Sequence, residues 1–145
     1  MTDKNFDLKD FDKGVFLVAT LGVVFDPSTK KFLIARREDD AYFEKLKWCF
    51  PGGRPDYGKD LEESFEDLTT ERTGLKIKSL GPIFSRLFKE NEKILLIYYL
   101  CESISGELKP NKKFKEFKWV SPDELESYFT TSFDPRLKEF IMNLR

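Results

Sequence analysis

A glycine turn followed by one bounded helix constrains this chain more than any other stretch. Residues 50–54 read Phe-Pro-Gly-Gly-Arg, and two glycines without Cβ atoms allow a sharp turn that comes close to a ligand. Asp60 and Glu63 predict an N-terminal capping box, and Gly74 predicts a left-handed residue at the far end. The pattern therefore indicates a helix over residues 61–73 that is placed directly after the turn.

The predicted helix carries one apolar stripe with an acidic back. Leu61, Phe65 and Leu68 recur at i, i+4 and i+7, and we expect these three side chains to be largely buried. Acidic residues occupy the other side, at Glu62, Glu63, Glu66 and Asp67. An ordinary surface helix has the same arrangement. Only the combination with the preceding glycines and the terminal Thr73-Gly74-Leu75 points to a function.

That combination resembles the Nudix box, G-x5-E-x7-R-E-U-x-E-E-x-G-U with U apolar, from Gly53 to Leu75 without a gap. Within the family it is most similar to the GDP-mannose mannosyl hydrolase subgroup, through Gly52, Gly53, Arg54, Leu61, Glu62, Phe65, Glu66, Leu68 and Thr69. The resemblance implies a Nudix-type α/β/α sandwich around a mixed sheet, formed as one domain over residues 1–145. It also implies a hydrolase of nucleoside diphosphate-linked small molecules that uses Mg²⁺.

Several residues of the box depart from the family pattern. Its conserved glutamates and arginine fall on Lys59, Asp67, Leu68, Glu71 and Arg72. The subgroup also has leucine at the place of Leu68, but it keeps a metal-binding glutamate where this chain has Arg72. The resemblance therefore implies Glu71 and Asp67 as catalytic candidates. It implies Glu71 and the Gly52 carbonyl as candidate Mg²⁺ ligands. Such a site offers few oxygen ligands, so we expect Mg²⁺ to bind weakly or not at all.

Cations stand at several places where the resemblance implies substrate or metal contacts. Arg37 falls on an arginine that reaches the substrate diphosphate in the subgroup, and Lys113 falls on the catalytic position before the tryptophan strand. The candidate substrate-binding residues are Arg36, Arg37, Arg54, Arg72 and Lys113. Guanidinium and ammonium groups bind phosphate oxygens directly. Solvated surface cations are the more common explanation of such residues, and both interpretations stay open.

The composition excludes several other functions. The 25 basic and 26 acidic side chains give a net charge of −1, which does not favour a nucleic-acid or membrane-surface partner. The absence of histidine excludes imidazole catalysis. Residues 1–14 lack the apolar region of a signal peptide, so we expect a cytoplasmic protein with free, buried Cys49 and Cys101. A homodimer stays open.

The remaining chain reads as strands followed by two helices. Apolar or alternating runs predict strands at 15–25, 31–37, 48–50, 76–88 with a bend or break, 94–101 and 116–120. Proline-containing starts predict helices at 122–129 and from 135 onward. We expect these two helices to cover one face of the sheet, with the box helix on the other.

Two functions are compatible with these residues. The first is a Nudix hydrolase of a nucleotide sugar or related pyrophosphate, with weak activity because the box is degenerate. The second is a Nudix-fold module that binds a nucleotide or other diphosphate without catalysis. Family membership favours the first by analogy, and the cationic residues favour the second.

Overall fold

The computed structural model describes residues 15–38 and 47–144; the expectation for residues 1–14 lies outside them. The elements are β1 (Leu17–Asp26), β2 (Lys31–Arg36), β3 (Trp48–Cys49), β4 (Gly52–Gly53), α1 (Leu61–Thr73), β5 (Leu75–Phe88), β6 (Asn91–Gly106), β7 (Glu116–Val120), α2 (Pro122–Tyr128) and α3 (Pro135–Met142). No helix within the described ranges is long and apolar enough to cross a membrane. Cys49 and Cys101 are both buried and neither is part of a disulfide, as predicted.

The strands of the described residues form one mixed sheet in the order β3-β2-β1-β6-β5, with β4 paired to β1 and β7 paired to β2. The central β1 and β6 run parallel over nine residue pairs, Leu17↔Ile94 to Phe25↔Glu102. The two predicted strands β1 and β2 form an antiparallel hairpin, with Phe25 opposite Phe32. Because the central strands are covered on both faces, their sequences are almost continuously apolar.

Helices cover both faces of the sheet and confirm the predicted α/β/α sandwich. On one face α1 inserts Phe65, which is fully buried and stacks on Tyr99 with 4.7 Å between ring centroids. On the other face α2 and α3 bury Leu125, Leu137 and Ile141 against a separate core. The burial of these apolar side chains is the main favourable contribution to folding.

Strand β5 is one continuous strand with irregular pairing near Pro82, so of the two predicted alternatives, a bent strand or a broken one, the structure has the first. Its pairing with β6 shifts register on both sides of Pro82, and Gly81 beside it has φ +112°. The strand lies at the edge of the sheet, where a proline without an N–H removes no bond to a further strand. The two residues therefore bend the strand without ending it.

Helix α1 begins and ends at the predicted residues but is rotated from the predicted stripe. Gly74 has φ +86° and donates its N–H to Thr70 O at 2.9 Å, whereas the Asp60 side chain makes no capping bond. The buried side chains are Ser64, Phe65, Thr69 and Thr73, so Leu61 and Leu68 are only half-buried. The reason is the position of β4, because Leu68 is turned toward Gly53.

Candidate functional site

The glycine turn is held tightly against β1. Gly52 has φ +147°, and a Cβ atom on it would lie 2.1 Å from the Thr20 carbonyl oxygen. The Thr20 hydroxyl donates to Gly53 O at 2.9 Å, and Gly52 pairs with Leu21. A residue with a side chain would be both strained and obstructed here, so the turn requires glycine at position 52.

The side chain of Arg72 fills the space beside this turn. Its Nη1 donates to the Gly52 carbonyl oxygen at 2.8 Å, and a Cβ atom on Gly53 would lie 2.1 Å from the same nitrogen. Burial lowers the pKa of the half-buried Arg72 guanidinium, and the nearby charge of Arg37 lowers it further. Two guanidinium groups thus stand close enough to repel one another next to a glycine carbonyl.

Three further cations lie around the same cleft, which has a volume of about 680 Å³. Arg37, Arg54 and Lys113 line it together with Arg72. The loop that carries Lys113 is fixed by Asn111, which donates to Arg72 O at 2.7 Å and accepts the N–H of Lys113 at 2.9 Å. The cations come from four separate segments of the chain, and the fold brings them to one opening.

The remaining predicted residues lie elsewhere. Arg36 is outside the cleft lining and pairs with Glu116 at 3.1 Å and with Glu38. Asp67 pairs with Lys59 at 3.0 Å on the exposed side of α1. The Lys59–Asp67 hydrogen bond raises the pKa of the exposed Lys59 ammonium. Arg36 and Asp67 are thus engaged in surface ion pairs, each worth little in stability.

The described residues do not fit a tightly bound Mg²⁺ ion. The Gly52 carbonyl accepts a hydrogen bond from Arg72, Asp67 faces Lys59, and Glu71 is exposed. No group of three or more histidine, cysteine, aspartate or glutamate side chains that could hold a metal occurs within residues 15–38 and 47–144. Mg²⁺ needs about six oxygen ligands near octahedral geometry, and a guanidinium at the carbonyl opposes a second cation.

Several residues of the cleft were not predicted from the sequence. Arg86 alternates with Phe84 and Phe88 on β5, and a cation on an apolar strand face was the available clue. Tyr57 lies fully exposed at the rim of the cleft. An aromatic wall is formed by Phe50, Tyr98, Phe129 and Phe133. The cleft is therefore cationic at the glycine turn and largely apolar beyond it.

Comparisons with known proteins agree with this fold. The model of the NUDIX domain matches residues 15–144. The nucleoside triphosphatase NudI of Escherichia coli O139:H28 is 27% identical in an alignment of 109 residues. The alignment covers 67% of this chain and 77% of that protein. The crystal structure of a MutT protein from Methanosarcina mazei Go1 superposes with a TM-score of 0.68 at 17% identity, covering 90% and 93% of the two chains. An ADP-ribose pyrophosphatase from Streptococcus suis 89-1591 superposes with a TM-score of 0.56 at 22% identity, covering 74% and 75%.

Proposed function

Because the chain belongs to the Nudix family, we propose that it binds a nucleoside diphosphate-linked small molecule, such as a nucleotide sugar, through cationic side chains. The observation that carries this proposal is the 2.8 Å hydrogen bond from Arg72 to the Gly52 carbonyl. It puts a fixed positive charge beside the glycine turn, where relatives in the family bind a divalent cation. The guanidinium supplies charge and N–H donors for phosphate oxygens.

The repulsion between the cations of the cleft supports an anionic ligand. Burial lowers the pKa of Arg72 and the charge of Arg37 lowers it further, so the cleft holds two like charges in unfavourable proximity. Arg54 and Lys113 add positive charge at the same opening. A diphosphate would convert these repulsions into charge-assisted hydrogen bonds, which contribute about 1.5 to 3 kcal/mol each. Most of the binding free energy would then come from this end of the cleft.

Hydrolysis in this site is expected to be slow. Catalysis of phosphoryl transfer depends on positioned charge and on a placed water or base. Phe114 occupies the position that the resembled subgroup uses for a histidine base, and its ring is buried at 1% exposure. The Phe114 ring has no acceptor atom, and the ammonium group of a lysine such as Lys113 is a donor only. The described side chains therefore favour binding over turnover.

A metal-dependent hydrolase of the same ligands is the second candidate. Its support comes from the activities of similar proteins, which are a nucleoside triphosphatase, a UDP-X diphosphatase and an ADP-ribose pyrophosphatase. The charge of Glu71 also acts on Arg72, where it opposes the lowering of the pKa that burial and Arg37 cause. This candidate requires Arg72 to leave the Gly52 carbonyl when ligand and metal enter.

Calorimetric titration with and without metal separates the two functions. Pyrophosphate, UDP-glucose and GDP-mannose are titrated into the protein in EDTA and again in excess Mg²⁺, and release of sugar or phosphate is followed over hours. We expect the dissociation constants in the two buffers to agree within about a factor of two, or 0.4 kcal/mol. Binding that requires Mg²⁺, together with steady product release, would establish the second candidate instead. Failure to bind in both buffers contradicts both.

A further inference from the structure

The cleft changes from charged to apolar along its length. Its cations lie around the glycine turn, and beyond the turn the lining comes largely from strands β1 and β6. These two strands run parallel and form on one face a floor of Ala19, Leu21, Leu96 and Tyr98. Phe129 and Phe133 line the same part and pack on one another at 5.0 Å between ring centroids. A ligand group in this part of the cleft therefore meets hydrocarbon and aromatic surface.

The polar groups at the far end are bonded to one another. The guanidinium of Arg86 donates Nε to the Tyr98 hydroxyl at 3.3 Å, and Nη1 and Nη2 to the hydroxyl and carbonyl oxygens of Ser132 at 3.1 Å each. These bonds use both donor forks of the guanidinium, so its two remaining N–H groups diverge. Ser132 in turn donates its N–H and its hydroxyl to Glu90 at 2.8 and 2.6 Å. The cleft thus ends in a polar network whose members bind each other.

The sheet register gives the length that is available to a ligand. Gly53 pairs with Thr20, Thr20 with Ile97, and Ile97 with Ser85, the neighbour of Arg86. Three strand spacings therefore separate the glycine turn from β5, which is roughly 14 Å. A diphosphate at the glycine turn fills only part of this length, so a group attached to it extends over the apolar floor.

The chemistry of the floor decides which attached groups are favourable. A sugar hydroxyl or the polar edge of a base would give up its bonds to water here and lie against carbon atoms, which costs free energy. A hydrocarbon group loses no hydrogen bond and gains free energy by leaving water. Burial also raises the pKa of the Tyr98 hydroxyl on this floor, as expected where a charged group is poorly solvated.

We propose that the apolar part of the cleft holds a hydrocarbon group, so that the protein binds diphosphate esters of apolar alcohols. The diphosphate lies against Arg72 and the other cations of the glycine turn, where the charges are complementary. The hydrocarbon lies against the floor and the rings of Phe129 and Phe133. This inference rests on the proposed function in placing the diphosphate, and it names the chemical class of the group attached to it.

A nucleobase stacked on the same surface is the competing occupant, because aromatic and apolar side chains also bind planar rings. The two occupants respond differently to a change of the ligand. A hydrocarbon gains affinity with each added CH₂ group, whereas a base has a fixed size and a polar edge. Ligands that vary only the apolar group therefore separate them.

Calorimetry in EDTA with alkyl diphosphates as probes tests the inference. Methyl, butyl, hexyl and octyl diphosphate share one charged group and differ only in chain length. We expect the wild type to bind the longer esters more tightly, by about fourfold for each added CH₂ group that enters the cleft. The ester 3-hydroxyhexyl diphosphate should bind about 10- to 100-fold more weakly than hexyl diphosphate, because an apolar pocket leaves its hydroxyl group without a partner.

Two variants locate the effect in the cleft. Ala19→Phe places a ring on the floor and should weaken hexyl diphosphate binding by roughly 10- to 60-fold, the contribution of two or three CH₂ groups. Methyl diphosphate binding should stay unchanged in this variant. Leu87→Phe introduces a ring at an exposed position of β5 outside the cleft lining, so it should bind every ester as the wild type does. Thermal unfolding checks that both variants fold, and the chain-length and hydroxyl series in the wild type decide the matter if Ala19→Phe does not.

Other outcomes overturn the inference. Equal wild-type affinity for methyl and octyl diphosphate means that no hydrocarbon enters the cleft, and equal affinity for hexyl and 3-hydroxyhexyl diphosphate means that the floor does not select apolar groups. If Ala19→Phe weakens ADP and UDP binding as strongly as hexyl diphosphate binding, a nucleobase occupies the floor. Should the wild type bind neither pyrophosphate nor methyl diphosphate, the proposed function fails. Titration with 1-hexanol then decides the apolar site separately, and absence of binding, or binding that Ala19→Phe does not weaken, overturns it.

Discussion

Replacing Arg72 by glutamate reverses the charge beside the Gly52 carbonyl. The substitution removes a donor that we place on the diphosphate, which costs about 1.5 to 3 kcal/mol of binding free energy. It also puts a carboxylate near the phosphates, and like unit charges 4 Å apart repel by about 4 kcal/mol at an effective dielectric constant of 20. Allowing for salt screening, metal-free affinity should fall on the order of 10²- to 10⁴-fold.

The same substitution should create a dependence on Mg²⁺. The introduced carboxylate would lie beside the Gly52 carbonyl and one residue after Glu71, and carboxylate and carbonyl oxygens are the ligands that Mg²⁺ prefers. Titration of GDP-mannose in Mg²⁺ should therefore recover part of the affinity that Arg72→Glu loses in EDTA. The wild type should respond little to the same change of buffer, since its guanidinium bonds that carbonyl.

Two controls isolate the role of this charge. Lys76→Glu makes the same change in net charge at an exposed position of β5 outside the cleft lining, and it should leave affinity unchanged. Arg72→Met removes the charge and the N–H donors and leaves a shorter, uncharged side chain. It should therefore show the loss from the missing donor, about 1.5 to 3 kcal/mol, without the loss from carboxylate repulsion. If Arg72→Glu binds GDP-mannose in EDTA as tightly as the wild type does, Arg72 does not face the ligand and the reasoning is refuted.

Two further predictions concern the other cations and helix α1. Arg37→Ala and Arg54→Ala should each weaken diphosphate binding by about 1.5 to 3 kcal/mol in calorimetry; unchanged affinity in both would place the anion elsewhere. Phe65→Ala should lower the free energy of unfolding by about 3 to 5 kcal/mol, and Leu68→Ala by a smaller amount, near the lower end of the 2 to 5 kcal/mol of a buried leucine, because Leu68 is only partly buried. Equal losses in urea denaturation would contradict that difference in burial.

Local patterns in the sequence predicted the elements of this fold but not every contact between them. The ends of α1 at residues 61 and 73 were predicted correctly; the C-terminal end follows from the left-handed Gly74, whereas the predicted capping bond of Asp60 is not formed. The rotation of α1 about its own axis was not predicted correctly. A period of 3.6 residues does not decide which of two adjacent rows of side chains faces the core. Leu68 lies beside Gly53, a contact with a residue outside the helix that the periodicity of the helix does not specify.

The same limit applies to the candidate site. Arg36 and Arg37 are adjacent in sequence, but only Arg37 lines the cleft, while Arg36 meets Glu116 of the neighbouring β7. That partner is 80 residues away in the chain, so no local pattern specified the pairing. Arg86 enters the cleft for a similar reason, because the pairing of β5 with β6 places it next to Tyr98.

Two departures from the Nudix box compensate each other, and a third does not. Lys59 stands where the family has a glutamate and Asp67 where it has an arginine, and the two form an ion pair at 3.0 Å. The opposite charges of these two side chains therefore compensate each other between the loop and the helix. Arg72 instead stands where the subgroup has a metal-binding glutamate, and it bonds the Gly52 carbonyl. A guanidinium there keeps the positive charge of a metal site but lacks the open coordination positions that activate water. We therefore expect the site to bind anions but to hydrolyse them slowly.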